Sequence, residues 1–430
     1  MSQTTASQPP ITAALVSVGG APAPILHVLR KHQPKHVWYF CSAGSRGNAD
    51  AIQAQLDWHP APRFIEVERF EELIPCYQEL RRAIRAILEE TKVPPAAVLV
   101  DYTGGTKTMS AALVLAAVEL FDRFSYIGGE QRDKDGLGVV VGQVHVVSQN
   151  NPWRELAVRE VRRACDLRAR CDFDAAARAL QAAAPEALHP LRLRAFATLA
   201  QGMAARHRLD FPEAQRRLQE AIGRLRPIFE GHADGPLKLA QEALAICDAC
   251  AAATVNDTFL RELLDNALRT AAQGRYEDAA ARLYRAMEMQ GQIWLADATG
   301  GAFLTGRCKP QNASALPEAL RPLPFCQPDE HGEIRLSLEQ CFRALAALGQ
   351  ERARAIVTDL DGRDASGQPQ SRWRAATEKR NTSILAHGVQ PIGKDGFEQM
   401  KQIAAAFLGF DLTREHHPIP PLEPRWFEPT

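Results

Sequence analysis

Residues 96–109 read AAVLVDYTGGTKTM: an apolar run ending in Asp101, a Gly104-Gly105 turn flanked by threonines, and Lys107 opening the segment beyond. The unbroken apolar stretch Ala97–Val100 predicts a strand covered on both faces, as in parallel sheets. Thr106–Phe121 predicts the helix that follows it. Strand, tight turn and helix form the repeating unit of a doubly wound α/β fold. The same alternation continues outward in both directions. Strands are predicted at Ile11–Val18, His36–Cys41, Arg63–Val67 and Ser125–Ile127. Helices are predicted at Pro24–His32, Asn48–Leu56 and Glu71–Glu90, the last with apolar residues at a period near 3.6. Pro75 is compatible with that helix only in its first turn. Lys134-Asp135-Gly136 predicts a turn before a final strand, Leu137–Val147, in a terminal hairpin. Residues 1–150 are therefore expected to form a Rossmann-like, mostly parallel sheet with helices.

After Asn150-Asn151-Pro152 the β signal fades. Residues 153–300 are rich in Ala, Leu and Arg, and one pattern recurs: Phe173/Ala176/Leu180, Phe211/Ala214/Leu218 and Tyr276/Ala279/Leu283. Spacing of i, i+3, i+7 puts each trio on one helix face. The irregular intervals between trios argue for helical hairpins over a regular repeat array. Residues 300–335 carry Gly and Pro enough for a long connection. Helices are predicted again at Leu336–Leu348, Trp373–Leu385 and Gly396–Leu408, with a polar loop at Asp361–Gln370. The expected organisation is an α/β domain at 1–150 followed by an all-α region.

Lys+Arg and Asp+Glu balance at 51 each, so no global basic field marks a DNA-binding protein, and any RNA contact must be local. The start, Met1–Pro10, is polar, and no run of about 18 apolar residues suggests a membrane span. Nine scattered cysteines fit a reducing cytoplasm. Cys247 and Cys250 have metal-like spacing but no second pair, so they are read as helix-packing residues and no metal site is expected.

Two constellations carry chemistry. In an open α/β sheet the ligand crevice lies beyond the carboxyl ends of the strands. Gly19-Gly20, Ser42 and Thr103-Gly104-Gly105-Thr106-Lys107 all fall at such ends. Glycines let backbone N–H groups approach phosphates, and a helix N-terminus with Lys107 favours an anion. A Walker A loop is excluded because Asp101 and Thr106 stand where its glycines belong, and no dinucleotide Gly-x-Gly-x-x-Gly follows any strand. Glycine for a tight turn alone would not call for Thr-Gly-Gly-Thr-Lys.

The second constellation is Arg380-Asn381…His387. On an uninterrupted helix Arg380 and His387 lie two turns apart on one face. An imidazole can take the proton of a ribose 2′-hydroxyl or protonate the leaving 5′-oxygen. A guanidinium can hold the scissile phosphate and stabilise its transition state. Asn381 can orient either group. One His cannot readily make both transfers, which suits two copies facing each other. The plainer alternative is a surface arginine with a histidine and Gly388 ending a helix.

With both motifs in view, the chain resembles the CARF–HEPN ribonucleases of type III CRISPR systems. Residues 101–109 are similar to the CARF signature loop, and Arg380-Asn381-x5-His387 to the Arg-x4–6-His signature of HEPN nucleases. Gly274–Gln292 resembles the opening helix of the effector domain, which implies a helical connection at 151–255 and a HEPN domain at 256–430. The resemblance implies a homodimer whose paired CARF domains bind cyclic oligoadenylate, of four or six adenylates, through Gly19, Gly20, Ser42 and Thr103–Lys107. It further implies activated, metal-independent cleavage of single-stranded RNA by Arg380, Asn381 and His387, leaving a 2′,3′-cyclic phosphate, without cofactor. Cleavage of the ring by the CARF domain itself is a further expectation. The alternative is a nucleotide-sensing binding module without nuclease activity.

Overall fold

The apolar run at Val98–Asp101 forms a strand buried at all four positions. It belongs to the first of two units in the computed structural model, which describes residues 9–129, 144–231, 235–252, 255–304, 306–309, 316–385, 388–419 and 421–427. The units are Met1–Arg159 with Pro185–Pro190, and Glu160–Ala184 with Leu191–Thr430.

The first unit runs β1 (Ala13–Ser17), α1 (Ala23–His32), β2 (His36–Ser42), α2 (Ala43–Ala54), β3 (Ala61–Val67), α3 (Leu73–Thr91), β4 (Val98–Asp101), α4 (Lys107–Ala117), β5 (Arg123–Gly129), β6 (Val144–Asn150) and α5 (Pro152–Glu155). The sheet order is β3-β2-β1-β4-β5-β6. All pairings are parallel except β5 with β6. Side chains alternate between the faces, as strand geometry requires. Ala13, Leu15, Trp38 and Phe40 pack with α3 and α4, while Ala14, Val16, Val37 and Tyr39 pack with α1 and α2. Pro75 sits in the first turn of α3, where its missing N–H costs no helical bond. The predicted turn at 134–136 and the first part of the predicted last strand lie outside the described residues.

Because β1 is flanked by β2 on one side and β4 on the other, the chain leaves their carboxyl ends in opposite directions. That is the topological switch point at which such sheets open a crevice.

The second unit is helical: α6 (Val158–Ala169), α7 (Phe173–Ala183), α8 (Pro190–His207), α9 (Phe211–Phe229), α10 (Pro236–Ala251), α11 (Asp257–Ala272) and α12 (Tyr276–Ala298) come first. After a connection follow α13 (Leu338–Ala347), α14 (Glu351–Leu360), α15 (Arg372–Asn381) and α16 (Lys394–Leu408). The recurring aromatic trio has a structural cause. Each aromatic, Phe173, Phe211 or Tyr276, is the first residue of its helix. Two residues earlier stands a left-handed residue: Cys171 (φ 59°), Leu209 (φ 62°) or Gly274 (φ 77°). The N–H groups of Asp172, Asp210 and Arg275 reach back to the carbonyls of Leu167, Ala205 and Thr270, closing each preceding helix. Asp172 and Asp210 then cap the next helix. Three copies of one hairpin turn thus explain the pattern without a regular repeat.

Between α11 and the C-terminal segment lies a buried ionic cluster. Arg206 and Arg269 both pair with Glu262, Arg269 also reaches Glu415 at 2.7 Å, and Asp265 accepts the N–H groups of His416 (2.7 Å) and His417 (2.6 Å). Cys247 and Cys250 are buried helix residues whose thiols burial pushes up to about 12.

Three sequence expectations need correction. The connection read as irregular holds a small antiparallel sheet of β7 (Phe303–Leu304), β8 (Arg307–Cys308) and β9 (Ile334–Arg335). α14 was not foreseen. The helix expected over Trp373–Leu385 stops at Asn381.

Candidate functional site

At the switch point, β1 and β4 end in loops packed backbone against backbone. A Cβ on Gly19 would lie 2.6 Å from the Gly105 nitrogen, and one on Gly104 would lie 2.2 Å from the Ser17 carbonyl oxygen. Gly105 has φ +80°, and a Cβ there would meet Ser17 Oγ at 2.4 Å. These three glycines are therefore fixed by loop packing. Gly20 has open space around it and is exposed. Ser17 donates its hydroxyl to the Gly104 carbonyl (2.6 Å), and Asn48 donates to the Gly19 carbonyl (2.9 Å).

Asp101, fully buried, organises the loop from below. It accepts the Thr103 N–H (3.1 Å) and the Ser125 hydroxyl (2.6 Å). Burial raises its carboxyl above the ordinary range, and the bonds from Ser125 and Thr103 oppose that only in part.

The hydroxyls expected at the crevice are engaged within the loop. Thr103 Oγ1 accepts the Ile127 N–H (2.9 Å). Thr106 Oγ1 caps α4 through Met109 N–H (3.2 Å) and donates to the Phe70 carbonyl (3.2 Å). Ser42 precedes α2 directly, and its N–H donates to Ser45 Oγ (3.0 Å). Lys107, at the first position of α4, is exposed. What the loop offers a ligand is thus Lys107, Gly20 and the backbone donors at the start of α4.

The second constellation is built on α12 and α15. Arg380, in the last turn of α15, lays its guanidinium over the Tyr284 ring at 4.6 Å and bonds Asn381 Oδ1 at 3.3 Å. Since α15 ends at Asn381, Arg380 and His387 do not share one uninterrupted helix. His387 lies outside the described residues. Thr382 and Ser383, poor helix formers that bond locally, turn the chain instead. Gly388 N–H donates to the Ser383 carbonyl (3.0 Å) and Gln390 N–H to the Thr382 carbonyl (3.3 Å). A Cβ on Gly388 would fall 1.7 Å from the Thr382 carbonyl oxygen, so glycine closes this loop.

Glu277, in the first turn of α12, accepts the Leu385 N–H (3.0 Å) and the Ile392 N–H (2.5 Å). Burial works against its ionisation, but these two N–H groups and the Ser383 hydroxyl outweigh it and hold the carboxyl below its ordinary value. Two clefts open along the end of α15, one lined by Tyr284, Thr377, Glu378 and Asn381, the other by Lys379, Thr382, Gln390 and Lys394. The sequence did not single out Tyr284 or Glu277 as partners of the motif. Each is about a hundred positions away, and only the shared helix face reveals them.

The chain thus has a doubly wound unit followed by a helical unit that carries Arg-Asn at a helix end. Residues 251–411 match the family described as the Csm6 HEPN domain. The CRISPR system endoribonuclease Csm6 of Thermus thermophilus is 28% identical over 355 residues, covering 77% of this chain and 72% of that protein. Among solved structures, Enterococcus italicus Csm6 bound to cyclic hexa-2′-fluoro-hexa-dAMP aligns over 93% of this chain and 95% of its own, with 13% identity and a TM-score of 0.47. Can2 from Sulfobacillus thermosulfidooxidans in complex with cyclic tetra-adenylate aligns over 64% and 67%, with 14% identity and a TM-score of 0.24. The family match and the curated relative support a CARF–HEPN ribonuclease of type III CRISPR systems as the class this chain is similar to.

Proposed function

We propose that this protein is an endoribonuclease that cuts single-stranded RNA when cyclic oligoadenylate occupies the crevice of its first unit. The observation that carries the reading is Arg380-Asn381 at the end of α15, inside the segment matching the Csm6 HEPN domain. Arg380 neutralises the scissile phosphate, and the His387 residues of two copies divide the proton transfers, one taking the 2′-hydroxyl proton and the other protonating the leaving 5′-oxygen. The bond from the 2′-oxygen to phosphorus forms as the bond to the 5′-oxygen breaks, leaving a 2′,3′-cyclic phosphate with no metal required. Asn381 orients the guanidinium.

Ile384, Leu385 and Val389 are large, apolar and more than half exposed around this loop. Such a patch supports a homodimer in which two copies of the motif meet. The ligand crevice comprises Gly19, Gly20, Ser42 and Thr103–Lys107, with Lys107 and the α4 N-terminus facing phosphate. Slow cleavage of the ring there would make the activation self-limiting. Among the described residues no helix is long and apolar enough to cross a membrane.

Incubation with a fluorophore–quencher RNA in EDTA, with and without cyclic tetra- or hexa-adenylate, tests the proposal. Cleavage with one ring, lost in His387→Ala, is the expected result. Silence with both rings moves the protein to a nucleotide-sensing binding module.

A further inference from the structure

One face of α12 supports both parts of the Arg-Asn motif's surroundings. Glu277 and Tyr284 are seven apart, two helical turns on the same side. Tyr284 lies beneath the Arg380 guanidinium. Glu277 receives main-chain N–H groups from Leu385 and Ile392. A single carboxylate thereby ties both strands of the loop that follows α15 to a helix whose next turns are anchored in the core through Ala279, Ala280 and Leu283. A surface acid has no need of such an arrangement. Two main-chain donors more than a hundred positions along the chain converge on it, each a charge-assisted bond stronger than a neutral one.

We infer that Glu277 is a positioning residue for RNA cleavage, fixing the chain at Leu385 and at Ile392 against the helix that orients Arg380; this inference rests on the ribonuclease reading above. Glu277 touches no reacting atom. It acts by fixing how the chain enters and leaves the segment to which His387 belongs. Reactions between groups held in place are sensitive to displacements of an ångström.

The experiment uses the full-length protein with activating ring and RNA, comparing wild type, His387→Ala, Glu277→Gln and Glu277→Ala. Cleavage is measured as kcat and KM, and hydrogen exchange is followed over residues 383–392. Glu277→Ala should lower kcat on the order of tenfold to a hundredfold with KM nearly unchanged. Exchange should quicken in 383–392 and not in the body of α16. Glu277→Gln keeps one acceptor oxygen and should fall between the two. Wild-type kcat in either folded Glu277 variant, with His387→Ala inactive, overturns the inference and leaves the ribonuclease reading intact. So does a loss of kcat accompanied by faster exchange throughout the helical unit, because that marks general destabilisation. If Glu277→Ala does not fold, Glu277→Gln decides by the same criteria. A wild type that cuts no RNA with either ring removes the ribonuclease reading, and this inference with it.

Discussion

Two loops in this protein are each organised by one carboxylate that accepts main-chain N–H, and the environments of the two acids differ. Asp101 lies beneath the first loop with no exposure, and its partners are the Thr103 N–H and the Ser125 and Thr103 hydroxyls. Glu277 stands at the side of the second loop and gathers two N–H groups and a hydroxyl from a segment far along the chain. Burial dominates the first and disfavours its charge. Donors dominate the second and favour it. The same chemistry thus serves a closed, glycine-packed crevice in one unit and an open, side-chain-braced loop in the other.

The largest effects expected are on the open loop. His387→Ala should reduce RNA cleavage ~10²–10⁴-fold, the usual reach of general acid–base catalysis. Arg380→Ala should cost on the order of 10²–10³-fold through lost phosphate stabilisation. Arg380→Ala should move the thermal midpoint by no more than a few degrees, because Arg380 is only half-buried at a helix end and Asn381 and Thr382 beside it are exposed. A matching loss of stability would mean that the loop is structural and would erase the contrast. Turnover assays paired with thermal unfolding check both.

The closed loop should respond the other way, in stability first. Gly104→Ala puts a Cβ 2.2 Å from the Ser17 carbonyl and should cost ~1–3 kcal/mol, as overpacking does. Gly20→Ala meets nothing within 4 Å and should be neutral within about 0.5 kcal/mol. Denaturant unfolding of the two variants side by side measures this. Equal effects would show that the crevice is looser than the glycine packing indicates.

How legible each region was follows from the range of the interactions that build it. The parallel sheet could be read because its strands are unbroken apolar runs, His36–Cys41 above all, and each is followed by a helix. That Gly19 and Gly104-Gly105 both follow strands could be read, but their packing against each other where strand order reverses came only with the structure. Ser17 and Asn48, which fix those loops, gave no signal, because a serine in a strand or an asparagine in a helix is unremarkable in sequence. The helical unit was legible as helices, and its aromatic trio marked real hairpin turns. The end of α15 was misread because the spacing of Arg380 and His387 suits a helix. Thr382 and Ser383 bond locally, and their signal was outweighed by that spacing. Glu277 was hidden because nothing in a sequence links position 277 to positions 385 and 392.

The smallest effect is the one that most directly sets the two acids apart. Asp101 has its folded-state pKa above the ordinary 3.8, so between those values the folded chain holds a proton that the unfolded chain has lost. Its contribution to stability is complete below 3.8 and is lost as pH rises through the folded value. Glu277 has its folded-state pKa below 4.5, so its contribution is complete above 4.5 and is lost as pH falls through the folded value. Thermal midpoints across pH 3–8 should show opposite trends once each variant is subtracted from wild type. The wild-type advantage over Asp101→Asn should shrink toward higher pH, because the amide carries no charge to bury. Over Glu277→Gln it should shrink toward lower pH, because a protonated Glu277 no longer attracts its N–H donors as an anion. Shifts of a few degrees are expected. If the two differences run in the same direction, burial and donor count do not divide these loops as the geometry indicates, and the acid with the wrong sign is the one whose surroundings differ in solution.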